Sequence, residues 1–379
     1  MMHAPCSPIT PSLVGKPISD AAVNKAQAQR ALIAFCRPGF EGESALELTA
    51  LAAAQNVHGY ARTERGSGLV EWIPTPDDGL DVLVRKIDWR DTVFCRQLLE
   101  GFAKATAMDR TDRLASILPP IRASGMRYRD ARVEAPDSDE CRELAALCRA
   151  LNSALVGVLK REKLLDPAAP QRLHIVLTAA DAALLARVDI TQGPIWSGGI
   201  PRLKFPHEAP SRSTLKLDEG LLVLLEDDER ERWLKPGMTA VDLGAAPGGW
   251  TWQLVRRSMK VTAIDNGPMD SRLMDSGLVE HHRVDGFRYQ PPKPVDWMVC
   301  DMVEQPRRVA SRMAEWLAEG WCRMAMFNLK LPMKKRLDEV NLCREIFVER
   351  LAGRNLDWRA RQLYHDREEV TVFARIAGR

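Results

Sequence analysis

The sequence predicts an α/β protein. Its C-terminal half reads as a doubly wound, mostly parallel seven-stranded sheet that ends in an antiparallel hairpin, and two smaller α+β units precede it. Three observations carry this reading. From residue 213 onward, short apolar runs alternate with amphipathic stretches, the pattern of a parallel sheet covered by helices on both faces. The last two apolar runs are separated only by His365-Asp366-Arg367-Glu368, too short for a crossover, so they pair antiparallel. Upstream, strands and helices alternate in a shorter, less regular order.

Residues 1–29 carry Pro5, Pro8, Pro11 and Pro17 and no apolar core, so they read as a flexible extension rather than a secretory signal. Residues 30–120 form the first unit. Ala31–Arg37 is strand-like, Pro38-Gly39 turns the chain, and Glu41–Gln55 has a helical period. Gly68–Ile73 is a second strand, Asp77–Ile87 a helix opened by the cap candidates Asp77 and Asp78, and Val93–Leu99 a third strand. Residues 121–196 form the second unit: strand Arg129–Ala135, helix Ser138–Leu159 capped by Ser138, and strands Leu173–Leu177 and Ala183–Ile190. Arg122, Arg127, Arg129 and Arg132 make it basic. The Pro- and Gly-rich stretch within 197–212 reads as a linker. In the last unit, 213–379, the strand candidates are Ala240–Leu243, Val261–Ile264, His282–Val284, Trp297–Cys300, Arg323–Asn328, Arg359–Tyr364 and Val370–Ile376. Trp250–Ser258, Arg307–Glu319 and Met333–Leu351 are helical.

Composition narrows the function classes. With 45% hydrophobic and 28% charged residues, the chain has globular composition. No apolar run reaches the roughly 20 residues of a membrane span. The eight cysteines form no CxxC pair and His281-His282 lacks a partner pattern, so no metal site is expected. Reduced thiols point to a cytoplasmic protein. The formal charge of +3 says little by itself, because binding depends on where charges sit.

The strongest local signal is Val241-Asp242-Leu243-Gly244-Ala245-Ala246-Pro247-Gly248-Gly249-Trp250, a strand entering a Gly-rich turn and then a helix. Glycines let a ligand approach the backbone, and the helix start offers free N–H groups. The spacing is not GxGxxG and no Lys-Ser/Thr follows, which speaks against a dinucleotide or a phosphate loop. Asp265 lies 21 positions after Gly244, at the end of the second strand, where a carboxylate meets ribose hydroxyls. Asp285 is expected to close the third strand beside an amino-purine, and Asp242 to face an ammonium group. Carboxylates at three successive strand ends suit S-adenosylmethionine better than a nicotinamide dinucleotide.

DLGAAPGGWT, VCDM and FNLKLPMKKR resemble the FtsJ-type ribose 2′-O-methyltransferases. GIPRLKFP, APSRSTLKLDE, DNGPM, MVCDMVE and ARQLYHDREEVTV extend the likeness to the RlmM family, bacterial 23S ribosomal RNA cytidine 2′-O-methyltransferases. FCRPGFEGE and PDDG fit the same family, so the resemblance spans residues 30 to 379. It implies a Rossmann-like class I methyltransferase domain behind a ferredoxin-like domain and a THUMP RNA-binding domain. It also implies a catalytic tetrad, which matches Lys216, Asp301, Lys330 and Glu369 here, with Glu369 preferred over Glu368 by strand alternation. S-adenosylmethionine contacts map onto Ser213, Ala246, Pro247, Gly248, Gly249, Asp265, Asp285 and Asp301, beside Asp242, Gly244 and Trp250 of the same loop. The implied substrate is 23S ribosomal RNA, free or pre-ribosomal rather than in the mature ribosome.

The chemistry asks for such groups independently. A ribose 2′-OH is a very weak acid, so a proton acceptor assists its attack. Lys330 accepts a proton only as a neutral amine, which requires burial and a nearby cation such as Lys216 to lower its pKa. Cys300 lacks the Pro-Cys context of a cytosine-5 nucleophile and reads as a core thiol. Asp301-Met302-Val303-Glu304 lacks the Asn/Asp-Pro-Pro-aromatic motif of base amino-group methylation. Two basic segments flank the crevice. Residues 197–216 carry Arg202, Lys204, Arg212 and Lys216 against Glu208 alone, and residues 326–336 add Lys334, Lys335 and Arg336 to Lys330 with no acid. Both are expected to meet RNA phosphates. An RNA-binding assembly factor with a vestigial cofactor site is the alternative, and the intact tetrad and Gly loop speak against it.

Overall fold

A computed structural model of the protein describes residues 27–76 and 79–378. The expected extension up to residue 26 and the cap candidates Asp77 and Asp78 lie outside the described residues. The N-terminal part runs β1 (Gln27–Phe35), α1 (Glu41–Ala54), β2 (Gly59–Thr63), β3 (Leu69–Pro74), α2 (Gly79–Lys86), β4 (Gln97–Ala105), α3 (Leu114–Ala123), β5 (Ala131–Glu134), α4 (Ala145–Arg161), β6 (Gln171–Ala179) and β7 (Ala182–Asp189). The C-terminal part runs α5 (Thr214–Val223), α6 (Asp227–Trp233), β8 (Thr239–Leu243), α7 (Gly249–Val255), β9 (Lys260–Ile264), α8 (Ser271–Asp275), β10 (Val279–His282), β11 (Val295–Cys300), α9 (Pro306–Ala318), β12 (Cys322–Lys330), α10 (Arg336–Leu351), β13 (Leu356–Arg361) and β14 (Glu369–Ile376). No helix among the described residues is long and apolar enough to cross a membrane.

The C-terminal sheet has the order β10-β9-β8-β11-β12-β14-β13. Its ladders are parallel from β10 to β12, and β14 and β13 join antiparallel. The fold class is therefore as expected: seven strands, doubly wound, closed by a hairpin. Period-2 alternation makes both faces apolar. Val241, Met298, Cys300, Phe327 and Val372 pack under α9 and α10, while Ala240, Val261, Trp297, Met326 and Phe373 pack under α5, α6 and α7. Cys300 is a core thiol, pushed up to about 12 by burial.

The two N-terminal units share one sheet, β2-β3-β1-β4-β7-β6-β5, joined where β4 pairs with β7. The first unit was expected to span residues 30–120. Instead Ile117, Leu118 and Ile121 of α3 pack in the core of the second unit, with Tyr128, Leu155 and Ile175. β2 was not foreseen, because its residues are mostly exposed and carry no apolar alternation. The strand expected over Val93–Leu99 begins only at Gln97, because the Thr92 hydroxyl ties the preceding turn to Trp89 O and Cys95 O. After Ser138 the chain makes a short 3-10 turn before α4. The third strand of the C-terminal sheet was expected over His282–Val284 but spans Val279–His282. Its partner β9 stops at Ile264, opposite His282.

The first unit docks directly on the β13–β14 hairpin. Buried Arg361 donates to Cys95 O (2.9 Å) and Trp89 O (2.6 Å), and burial lowers its pKa to about 10. Arg96 and Arg37 donate to Leu363 O and Tyr364 O. Phe40 and Phe94 stack at 5.9 Å and belong to the same core as Phe327 and Leu329. The expected linker is equally tied down, since buried Glu134 accepts from Ser197 Oγ and Gly198 N. These contacts hold the N-terminal walls against the strand ends described next.

Candidate active site

Crevices form at the C-terminal ends of parallel strands in doubly wound sheets. Here β8 delivers the turn Gly244–Gly249. Gly244 and Gly248 have φ of 78° and 119°, which side chains rarely adopt. A Cβ on Gly249 would stand 2.2 Å from Ser213 Oγ and 2.4 Å from Ser211 Oγ. The turn is thus kept free of side chains beside two hydroxyls that contact each other at 2.6 Å. Asp265 follows β9 and accepts from Ala246 N (3.0 Å) and Gly267 N (2.7 Å), joining two loops. Asp242 is buried, and Thr251 Oγ1 donates to its Oδ2 at 2.6 Å, while Oδ1 has no partner among the described residues. Burial raises the Asp242 pKa to about 7, reinforced by Asp301 and Asp265. A buried carboxylate oxygen without a donor calls for one, and a ligand ammonium fits it.

Two expectations for this turn need correction. Asp285 does not close the third strand. It lies three residues beyond, exposed, with Oδ1 accepting from Phe287 N. The Trp250 side chain leaves the loop and packs against Leu217, Leu254 and Trp297 in the core, so only its backbone belongs to the turn.

The four tetrad candidates meet in one cluster. Lys330 ends β12, and its ladder partner is Glu369, the first residue of β14. Asp301 follows β11 directly, and Lys216 comes from the first turn of α5. Lys330 Nζ contacts Asp301 Oδ1 at 2.6 Å and also Glu369 Oε2. Lys216 Nζ contacts Glu369 Oε1 at 2.7 Å and Asp301 at 3.4 Å. Glu368 points away and pairs with Arg336. Burial lowers the Lys330 pKa, but the Asp301 and Glu369 carboxylates outweigh it and the net shift is upward. The expectation of a depressed Lys330 pKa therefore fails in this structure. Two carboxylates at contact distance stabilise the ammonium more than burial destabilises it.

A second layer escaped the sequence reading. Asn328 Nδ2 donates to Asp301 Oδ1 (3.0 Å) and Glu369 Oε2 (3.1 Å), so its Oδ1 faces Thr371 Oγ1 at 2.8 Å. Asn328 and Thr371 are ladder partners, two residues from Lys330 and Glu369 on the same face. Polar residues at face-equivalent positions of the apolar strands MAMFNLK and EVTVF were the available signal.

Thr371 also contacts Asp366 at 3.0 and 3.2 Å. The Thr371 hydroxyl has one proton, and the Asn328 carbonyl oxygen can only accept it. An Asp366 that keeps its proton satisfies this arrangement by donating to Thr371. Its pKa agrees, raised to about 8 by burial and by the charges of Glu369 and Glu219. The folded state keeps a proton that the unfolded state releases near 3.8, so this group's contribution to stability is full at low pH and is lost as pH rises from about 4 through about 8. Asp366→Asn mimics the protonated form. Its melting temperature, compared with wild type across that range, is expected to fall less as pH rises. Parallel profiles would dismiss a protonated Asp366.

The basic rim divides. Lys204, Arg212, Lys334 and Lys335 are exposed. Arg202 is exposed too, but it pairs with Asp137 (3.0 Å) and lies over Tyr364 (5.6 Å). Arg336, expected to meet RNA, is mostly covered. It bridges Glu43 of α1 and Glu368 and sits 4.3 Å over Phe40, so it fastens the two halves of the molecule together. Between these halves runs a cleft of about 1070 Å³ lined by Arg37, Arg65, Arg142, Arg212, Lys216 and His365 among others. Its floor reaches Lys216 and Glu369. Among the described residues no group of three or more His, Cys, Asp or Glu side chains could hold a metal ion.

Comparison with known proteins adds to this geometry. Residues 29–99 match the model of an RlmM ferredoxin-like domain, and residues 112–187 that of the N-terminal part of ribosomal RNA large subunit methyltransferase M. Residues 209–347 match an FtsJ-like methyltransferase. A protein of Xanthomonas oryzae pv. oryzae (strain PXO99A) named ribosomal RNA large subunit methyltransferase M is 53% identical over 346 residues, 90% of this chain and 98% of its own. A protein of the same name from Xanthomonas campestris pv. campestris (strain B100) is 52% identical with the same coverage. Among solved structures, TrmN from Thermus thermophilus aligns over 91% of this chain and 99% of its own, at 16% identity and a TM-score of 0.32.

Proposed function

Starting from a chain that belongs to the ribosomal RNA large subunit methyltransferase M family, we propose that it methylates the 2′-OH of a cytidine in 23S ribosomal RNA, using S-adenosylmethionine. The observation that carries this reading is the Lys216–Asp301–Lys330–Glu369 cluster, beside a glycine turn that no side chain fills. S-adenosylmethionine, when bound, supplies an activated methyl group on a sulfonium centre.

The cofactor's donor and acceptor groups find complements in this chain. Asp242 offers an unpartnered, buried carboxylate oxygen to the ammonium. Asp265 suits the ribose hydroxyls, and Asp285, exposed at the crevice edge, the amino-purine. Ser213 and the backbone of Ala246, Pro247, Gly248 and Gly249 line the remaining turn. Asp301, which contacts both lysines, completes the set.

In the reaction the cluster works as one acid–base unit. Lys330 stands at hydrogen-bond distance from Asp301 and Glu369, so a proton can pass between them. The proton of the 2′-OH passes to Lys330 as the Lys330 ammonium hands one of its own protons to Asp301 or Glu369, so lysine stays an ammonium and the carboxylate takes up the proton. Lys216 balances the charge on Glu369 and stabilises the developing alkoxide. Asn328 keeps both carboxylates in place. Much of the acceleration comes from holding the oxygen in line with the methyl carbon. The cleft above the cluster takes RNA, with Arg212 of its lining and the exposed Lys204, Lys334 and Lys335 outside it meeting phosphates around an unstacked nucleotide. The substrate that suits such a cleft is free or pre-ribosomal RNA, whose nucleotide can leave its helix.

Mass spectrometry of 23S ribosomal RNA tests the proposal. The RNA from a strain lacking the protein should lose one 2′-O-methylcytidine, and the purified protein with S-adenosylmethionine should restore it. An unchanged set of ribose methylations would refute it.

A further inference from the structure

The β13–β14 turn carries a histidine that the reaction does not use. Glu219 lies one helical turn after Lys216 on α5, so the two share a face. Glu219 is 2% exposed and accepts from Tyr364 N (2.8 Å), His365 N (2.9 Å) and His365 Nδ1 (2.7 Å). A buried carboxylate with three donors makes an uncommonly defined seat. It commits Nδ1 as the donor, so in the neutral ring Nε2 carries the lone pair. Nε2 has no partner among the described residues, and His365 lines the cleft beside Lys216, Arg212 and Glu369.

The seat is rigid. Arg37 donates to Tyr364 O at 3.1 Å and Arg96 to Leu363 O at 3.3 Å, both from the N-terminal unit. From below, Asp366 accepts from Leu363 N at 3.1 Å. The same helix turn thus places Lys216 and, through Glu219, His365. The same hairpin places His365 and, four residues on, Glu369. Lys216, Glu369 and His365 line the same cleft, so a nucleotide whose ribose meets Lys216 and Glu369 shares that space with His365.

We infer that His365 reads the nucleobase of the methylated nucleotide, accepting a hydrogen bond at Nε2 from an exocyclic amino group. This rests on the ribose 2′-O reading given above. An acceptor opposite C4 of a pyrimidine or C6 of a purine favours cytosine or adenine, which carry an amine there. It disfavours uracil and guanine, which present a carbonyl oxygen there and would set lone pair against lone pair. Phosphate binding by an imidazolium is the competing role, and it carries no base preference.

The test changes the substrate first, so it does not depend on a variant folding. Short ribosomal RNA fragments carry cytidine, uridine or pyrimidin-2-one riboside, which lacks the 4-amino group, at the target position. Methylation is followed with labelled S-adenosylmethionine. Loss of one hydrogen bond predicts a kcat/KM about tenfold lower for the amine-free analogue, with uridine at least as poor. His365→Ala is expected to treat cytidine and the analogue alike, at the level of wild type on the analogue. Calorimetric binding of S-adenosylmethionine by this variant reports that it is folded. Equal wild-type rates on cytidine and the analogue overturn the inference, and so does His365→Ala that still prefers cytidine. Methyl label on the base instead of the ribose overturns the 2′-O reading itself, and this inference with it.

Discussion

Lys330→Ala is expected to lower methyl transfer about a thousandfold or more while S-adenosylmethionine still binds. The side chain touches two carboxylates that hold it over the crevice, and the Gly turn draws no support from it. The substitution leaves Asp301 and Glu369 facing each other across Lys216 and Asn328, which still pair with both. The fold should therefore persist, and calorimetry should return near-wild-type cofactor affinity. Lys330→Arg separates proton transfer from charge. Arginine keeps the positive charge but does not give up a proton in proteins. It is expected to remain inactive. Substantial activity in Lys330→Ala would remove the cluster from the mechanism, and full activity in Lys330→Arg would make Lys330 a pure charge holder.

The second large effect is at the turn. Gly248 has a φ of 119°, and a Cβ there would stand 2.3 Å from Cδ1 of buried Leu273 and 3.2 Å from Met269 Cε. Gly248→Ala therefore combines backbone strain with a clash against the core. Strain of this kind costs about 1–3 kcal/mol, and the turn relieves it by moving away from the geometry that accepts the cofactor. The expected result is a cofactor affinity lower by about ten- to a hundredfold, with a reduced melting temperature. Titration calorimetry and thermal melts measure the two effects. Unchanged affinity would mean that the turn does not form the cofactor's cradle.

Some of the site was legible from residue identity because its geometry is local. DLGAAPGGW announces a strand–turn–helix, since glycines that must take left-handed φ sit next to one another in sequence. Lys330 and Glu369 were legible only through the resemblance of FNLK and REEV to the family's motifs, with strand alternation choosing Glu369 over Glu368. Asn328, Thr371 and Asp366 were not, because each alone reads as an ordinary polar residue. Only ladder register makes Asn328 the neighbour of Thr371, and only the hairpin brings Asp366 beneath it. Arg336 shows the converse. In sequence it ends a basic run, yet Glu43, almost 300 positions away, captures it.

The amino-acid sequence by itself determined the α/β class, the order of the C-terminal sheet's elements and the glycine turn, each of which depends on periodicity or on neighbours along the chain. The four residues of the cluster came from the resemblance to the FtsJ-type family. Tertiary structure alone decided three things: that one sheet joins the two N-terminal units, that the first unit clamps the β13–β14 turn, and that Lys330 is held as an ammonium. A lysine pKa is a balance between burial and the charges within a few ångströms. Those charges come from β11 and β14, which sequence periodicity places in the same sheet but not at contact distance.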